Sequence, residues 1–383
     1  MDFSWSQQQL DRRQRFAEFA TNNLNGDTVS RDRQGKFCRK LWKKCADFGV
    51  LSLGMPGGYS QHEEVDFLSS ILAMEGLGYG CRDNGLIFGL CAQAWTVQLP
   101  IARFGTDAQK NNLLPALCNG KQIGAHALTE PATGSDVYSL GTTATPCAGG
   151  YSITGHKRLI TFGPIADVFL LFATVAPEKG KWGVTAFLVE KDRPGVSVQP
   201  VQEKMGLRTV PIGEIKFENC IIPESSRLGA EGNGFAISSS SLEYERCSIH
   251  AGQLGAMEKQ LETAVSFAKK RMQFGRPIGS FQSVSNRIAN MKLRLETARL
   301  LLYRTAWLKE MDKPAMQEAA LLKLHLSESF LESSQDAIRI RGGDGYLTEF
   351  EIERDLRDSI GGVLYAGTSD IQRNIISKLS GVG

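Results

Sequence analysis

The residues best suited to acid–base chemistry in this chain are the two carboxylates of Leu242-Glu243-Tyr244-Glu245-Arg246. They lie in residues 234–274, where Leu242, Ile249, Leu254, Met257, Leu261, Val265 and Ala268 recur mostly at steps of three, four and seven. That spacing predicts one long helix with a single apolar face. Glu245 comes three residues after Leu242 and four before Ile249, so helix geometry turns its carboxyl inward. Glu243 stands about 200° away round the axis and points outward. A carboxyl in apolar surroundings is harder to ionise than one in water, so its pKa rises. A group tuned in this way can take or give a proton near neutral pH. The same pattern also describes a glutamate satisfied by a partner inside a packed bundle.

The elements that must hold this helix follow from the texture of the rest of the chain. Its 383 residues, 42% of them hydrophobic, suffice for two or three domains with their own cores. The first third is helical in pattern. Phe37, Leu41, Cys45 and Phe48 make an apolar stripe, with a basic stripe of Lys36, Arg39, Lys40 and Lys43 beside it. The basic stripe suits either a solvated face or a docking patch for an acidic partner. Residues 54–59 (GMPGGY) read as a turn, and helical pattern resumes over 65–117 with a break at 76–85. From about Lys121 β-branched residues and glycines take over. Strands are predicted at 151–154, 168–175, 183–189, 196–200 and 214–217. Further helices are predicted at 282–311, 315–340 and 369–379, which with 234–274 make a four-helix bundle. The expected class is α+β: a helical domain over 1–120, a β-domain over 121–230 and a helical bundle over 231–383.

Composition narrows the function. The formal net charge is +3 and the pI about 8.3, far from the charge density of a nucleic-acid binder. Eight cysteines form no CxxC pair and five histidines are scattered, which points to reduced thiols, a cytoplasmic setting and no metal. The N-terminal MDFSWSQQQLDRRQRF lacks the apolar core of a signal peptide. The longest apolar run, near 168–176, is too short to cross a bilayer. Neither a nucleic-acid nor a membrane partner is expected.

Three glycine-bearing segments stand out as sites rather than spacers. Residues 129–136 (TEPATGSD) form a hydroxyl-rich loop able to offer backbone N–H groups to a polar ring edge or a phosphate. Residues 341–346 (RGGDGY) end a helix and allow close backbone approach. Residues 366–370 (AGTSD) precede the last helix, where Thr368 or Ser369 can cap it and an anion would be favoured. Taken singly, an ordinary polar turn, a helix stop and an empty cap explain them as well.

Taken together and in order, these segments resemble the acyl-CoA dehydrogenase family. The matching stretches are ALTEPATGSD (127–136), GHKRLITFG (155–163), RLGAEGNGF (227–235), RMQFGRPIGSFQ (271–282), RIRGGDGY (339–346) and LYAGTSDIQR (364–373). The resemblance covers nearly the whole chain. It implies FAD, the three-part fold above and a homotetramer. Residue by residue, it implies that Thr129 and Thr161 hydrogen-bond the flavin, with backbone contacts from Leu128 and Ile160. Gly134 and Ser135 would lie by the pyrophosphate and the substrate arm. Arg271, Gln273, Phe274, Gln282, Arg339 and Gly343 would reach the FAD of a neighbouring subunit, and Thr368 and Asp370 would contact FAD from the terminal turn. Tyr365, Ala366 and Arg246 would border the substrate.

There are departures from the family pattern. Leu159 stands where the family often has Trp, Phe162 where it has Asn, and Arg339 where Gln is common. Ala366 occupies the place where many members carry the catalytic glutamate. A smaller set, the isovaleryl type among them, carries the base on the long helix in an LxLER-like segment. LEYER matches that set, with Glu245 as the base. The resemblance thus implies that Glu245 takes the α-proton of an acyl thioester while hydride passes from Cβ to the flavin.

Residues 76–93, 287–304 and 356–370 look most like the branch acting on L-prolyl groups held through phosphopantetheine on acyl or peptidyl carrier proteins, which forms a pyrroline-carboxyl thioester. Carrier proteins are acidic, and the mild positive charge fits them. A short branched-chain acyl-CoA dehydrogenase with the same base placement is the alternative, and a flavin-binding assembly protein without turnover is a second.

Overall fold

The computed structural model describes residues 4–60, 62–137 and 139–382. The N-terminal part is helical: α1 (Gln7–Asn23), α2 (Thr28–Gln34), α3 (Arg39–Phe48), α4 (Phe67–Gly80), α5 (Asn84–Gln93), α6 (Leu99–Phe104) and α7 (Asp107–Cys118). The strands β1 (Gly124–Ala127), β2 (Thr143–Cys147), β3 (Gly150–Thr161), β4 (Val168–Thr174), β5 (Val184–Glu190), β6 (Val196–Val198), β7 (Ile212–Pro223) and β8 (Arg227–Leu228) follow. Helix α8 (Gly234–Lys270), a hairpin of β9 (Met272–Gln273) and β10 (Arg276–Pro277), α9 (Gln282–Glu310), α10 (Met316–Arg341), α11 (Gly343–Tyr346), α12 (Ile352–Gly362) and α13 (Ser369–Leu379) complete the chain.

The strands make one eight-stranded sheet in the order β6-β7-β3-β2-β4-β5-β8, with β1 added parallel to β4. Strand β4 is buried throughout. Its alternate side chains serve two cores, as a period of two requires: Phe169, Leu171 and Ala173 join the main cluster under the helices, and Val168, Leu170 and Phe172 join a second one with α6 and α7. Strands β1, β2 and β8 escape the sequence pattern. Each is short; β1 and β8 hold no β-branched residue, and β2 alternates Thr143 and Thr145 only to meet Pro146.

Helix α5, a π-turn at Ala94–Gln98 and α6 run on as one helical stretch, Asn84–Phe104. At 21 residues and a mean hydropathy of 1.4 it has the length and composition to cross a bilayer, which corrects the expectation that no run does. It is a core element, with 89% of its apolar window buried inside the protein. Gln93 and Gln98 had disguised the run, and both are buried with their amides bonded to the carbonyls of Leu117 and Leu51.

Two expectations about the central helix are corrected. First, α8 stops at Lys270, not at Phe274. The chain reverses through Phe274 (φ 50°) and Gly275 (φ 77°), and Phe274 is 92% exposed, so its apolar character belongs to a hairpin surface. Second, α8 has no single apolar face. Every residue from Tyr244 to Met257 is buried, because α4, α5, α9, α10 and β5 surround it. Small residues permit that crowding: a Cβ on Gly255 would stand 2.0 Å from the Glu75 carbonyl of α4.

Candidate active site

The middle of α8, the loop after β1, the end of β3, the loop at 204–207 and the turn before α13 converge on one cavity of about 870 Å³. That volume suits a cofactor together with part of a substrate. Glu245 lines it and is itself 8% exposed. Its carboxyl accepts no hydrogen bond from a described residue. Burial pushes its pKa up to about 7, against the pull of Arg246.

Around this acid the packing is specific. The Arg246 guanidinium is buried, and its Nε donates to the Ala366 carbonyl at 3.3 Å. Ala366 has φ 52° and Gly367 φ 86°, so the turn aims that carbonyl at Arg246. Tyr365 packs its ring 4.7 Å from Phe88, and its hydroxyl accepts from Gln253 Nε2 at 2.7 Å. Burial and the charge of Glu245 hold the Tyr365 phenol far above its usual pKa, so it stays protonated. Glu243 also borders the cavity and does not face away from it as helix geometry alone predicted. Its carboxylate turns to α9, where Lys309 Nζ meets it at 2.8 Å. One more acid nearby, Asp358, is pushed up to about 7 by burial. It accepts hydrogen bonds from the Leu207 N–H and the Asn84 amide, so its oxygens are occupied.

The facing wall is built on an ion pair. Glu130 accepts from Lys157 Nζ at 2.7 Å, from the Gly141 N–H at 2.7 Å and from the Thr142 N–H at 3.0 Å. Lys157 also donates to the Leu128 carbonyl at 3.0 Å. Burial would raise the Glu130 pKa, but Lys157 and the N–H donors outweigh it and hold the carboxyl below its usual value. Burial pushes the ammonium of Lys157 down to about 8 despite Glu130. This pair anchors the chain on either side of Gly134, Ser135 and Asp136, which line the cavity. A Cβ on Gly134 would meet nothing within 4 Å.

Backbone strain concentrates here. Nine described non-glycine residues have positive φ, and four of them, Leu159, Phe162, Leu207 and Ala366, line this cavity. Such residues persist where the surroundings over-determine them, and they cluster at working sites. In β3 the pairing with β7 slips between Lys157 and Ile160, a bulge with Leu159 at φ 57°. The bulge re-aims Leu159, Ile160 and Thr161 into the cavity.

Of the residues singled out in the sequence, Leu128, Thr129, Gly134, Ser135, Ile160, Thr161, Glu245, Arg246, Tyr365, Ala366 and Thr368 line this one cavity. Thr368 also caps α13 by accepting from the Ile371 N–H. Arg271, Gln273, Phe274, Gln282, Arg339 and Gly343 are exposed and lie away from it. Asp370 does not line it either, and its exposed carboxylate meets Arg373 at 3.3 Å. The sequence reading missed His126, Lys204, Phe235 and Arg357, which all border the cavity. The Nε2 of His126 is buried without a partner among the described residues, and burial lowers its pKa to about 4, so the ring is neutral. Lys204 donates to the Leu207 and Val210 carbonyls at 2.7 Å each and pins the strained loop. Nothing in local pattern marks either one, because both depend on distant chain.

A helical part, a sheet and a bundle closing on an inward glutamate define a class. The N-terminal, middle and C-terminal domain models of acyl-CoA dehydrogenase match residues 6–121, 125–220 and 232–380, and the chain belongs to the acyl-CoA dehydrogenase family. Within it, the chain is 42% identical over 379 residues to an L-prolyl-(peptidyl-carrier protein) dehydrogenase of Pseudomonas fluorescens, covering 99% of each chain. Among solved structures, the prolyl acyl carrier protein oxidase AnaB is 45% identical with a TM-score of 0.97, over 99% of this chain and 100% of that one. PigA with FAD and proline is 41% identical with a TM-score of 0.97 over 100% of both chains. The butyryl-CoA dehydrogenase of Megasphaera elsdenii has a TM-score of 0.94 at 34% identity, over 99% of this chain and 100% of that one.

Proposed function

We propose that this chain oxidises an L-prolyl group, held as a thioester on a phosphopantetheine arm of an acyl or peptidyl carrier protein, to a pyrroline-carboxyl thioester with FAD as cofactor. The observation that carries the reading is Glu245: a buried carboxyl without a hydrogen-bond donor among the described residues, poised near neutral pH on the wall of the cavity. Relatives named for prolyl carrier-protein oxidation or dehydrogenation match the full length at 42–45% identity, against 34% for the butyryl-CoA enzyme.

The residues present fit FAD. The loop at Gly134 leaves open space beside bare backbone, and Thr133 Oγ1 and His126 Nε2 are buried polar atoms with no partner among the described residues. Leu128, Thr129, Gly134, Ser135, Ile160, Thr161 and Thr368 would hold it in the chain's own cavity, with Asp370 at the terminal turn. Arg271, Gln273, Phe274, Gln282, Arg339 and Gly343 would serve the FAD of a neighbour. When bound, FAD supplies the acceptor for the β-hydrogen, taken as hydride.

The protein side of the reaction is acid–base and positional. Glu245 takes the proton from Cα, which the thioester carbonyl acidifies. The apolar wall keeps water away and keeps the carboxyl basic enough to act. Arg246, held by Ala366, fixes the turn behind Glu245. Tyr365 and Phe88 close the space available to the ring.

We assign a homotetramer in the cytoplasm. The exposed apolar residues Phe274, Tyr346, Leu293, Leu300 and Trp307 lie on the bundle side, where a second copy would cover them, and all eight cysteines are free thiols. The carrier reading is tested by offering purified holoenzyme L-prolyl-carrier protein and isovaleryl-CoA without oxygen. Bleaching of the flavin colour by the prolyl carrier supports the reading. Bleaching by the CoA ester alone overturns the substrate, and none with either overturns the activity.

A further inference from the structure

The cavity runs along α8 from Glu245 to Phe235, ten residues or roughly 15 Å at the rise of a helix. A thioester placed at Glu245 can run its arm along this wall as far as Phe235. There the ring of Phe235 meets Trp182 at 5.5 Å, and Lys181 Nζ lies 4.7 Å and 4.9 Å from the two ring centres. Trp182 is 61% exposed, the most exposed tryptophan of the chain. It sits on the short turn Pro177–Gly183, where Lys179 and Lys181 are exposed too, and neither ammonium pairs with a carboxylate of a described residue. The basic stripe of α3 is half neutralised, since Lys43 pairs with Asp47 and Arg39 lies 3.8 Å from Asp167, while Lys36 and Lys40 are exposed without a carboxylate partner among the described residues.

We propose that the carrier protein docks on this rim, with Trp182 as its apolar contact and Lys179 and Lys181 facing its acidic surface. The inference rests on the carrier-thioester reading above. Exposed tryptophan supplies large contact area at little entropic cost, and unpaired cations at a rim steer an acidic partner. Glu178 is the one exposed acid on the turn, and it opposes the same partner.

The test compares L-prolyl-carrier protein with L-prolyl-pantetheine, which carries the reacting group without the protein. In the double variant K179E/K181E, kcat/KM on the carrier substrate should fall about tenfold, with kcat nearly unchanged and a weaker salt dependence. Turnover of L-prolyl-pantetheine should stay within about twofold of wild type, because neither lysine lines the cavity. Glu178→Lys should raise kcat/KM on the carrier alone. An unchanged kcat/KM on the carrier in the double variant overturns the proposal. So does an equal loss on both substrates, which would place the effect in the cavity. A loss produced by K36E/K40E instead moves the surface to α3 and also overturns it. Wild-type enzyme inactive on both prolyl substrates would fail at the earlier step, by removing the carrier reading itself.

Discussion

Two buried carboxyls flank the cavity, and their surroundings drive them apart. Glu130, beneath the loop wall, has an ammonium and two backbone N–H groups, and it is held ionised. Glu245, on the helix wall, has no donor among the described residues and is pushed to about 7. Burial opposes charge in both places, so the difference lies in the partners. Glu130 is a strut, and its charge is permanent. Glu245 carries its desolvation as a raised proton affinity, the property a base needs. That design has a cost: moving an ordinary carboxyl pKa of 4.5 to about 7 removes roughly 3 kcal/mol of stability once the group ionises.

The comparison breaks most sharply at the base itself. Glu245→Gln should lower turnover of the prolyl-carrier substrate about 10³-fold while the protein keeps its yellow colour. Anaerobic bleaching followed by stopped flow measures this, and a loss under tenfold would remove Glu245 from its role. Next comes the strut. Lys157→Met leaves Glu130 buried without its cation and should cost about 3–5 kcal/mol, read as a lowered Tm and urea midpoint. Adding Glu130→Gln should return part of that loss. A stable Lys157→Met protein would mean that the two walls do not differ as described.

Acidity sharpens the contrast because the two groups respond with opposite sign. Glu245 binds its proton more tightly folded than unfolded, so its contribution to stability falls as pH rises from about 4.5 through about 7. Glu130 is depressed, so its contribution is present above its unfolded pKa and is lost as pH falls through the folded one. Glu245→Gln should therefore stabilise the protein at pH 8 by up to roughly 3 kcal/mol and change little at pH 4. Urea unfolding of both proteins at the two pH values tests this. The kcat/KM of the wild type should rise to a plateau through about pH 7, as the base deprotonates.

How much of this was legible follows the range of the interactions. Helix period and the LEYER segment find Glu245, because three- and four-residue spacings are local. The ordered motifs find the fold and part of the cavity wall, chiefly the loop after β1, the end of β3 and the turn before α13. The burial of α8 on every side was hidden, since it depends on glycines such as Gly78 and Gly255 meeting backbone of another helix. The left-handed Leu159 and Phe162 were hidden too, because neither residue type advertises positive φ. Phe162 takes it with its ring held between Phe37 and Trp42, at 5.4 Å and 5.2 Å. His126 and Lys204 carry no motif, and only the folded chain brings them to the site.

The smallest expected effect is the most searching, because it uses the acid two residues from the base. Glu243 lines the same cavity, yet its carboxylate is bonded to Lys309 and its charge is balanced. If position alone made a base, Glu243 would serve nearly as well as Glu245. If the lack of a partner makes one, Glu243→Gln should leave turnover within about threefold of wild type. The stability cost should be about 1–2 kcal/mol, less than for Lys157→Met. Lys309 keeps its contact 4.5 Å above the Tyr244 ring, and the pair is only partly shielded from water. Steady-state turnover and thermal unfolding on one preparation measure both quantities. A loss in Glu243→Gln as deep as that in Glu245→Gln would mean that the pair of carboxylates acts as a unit, and that an unpartnered acid is not what the cavity selects.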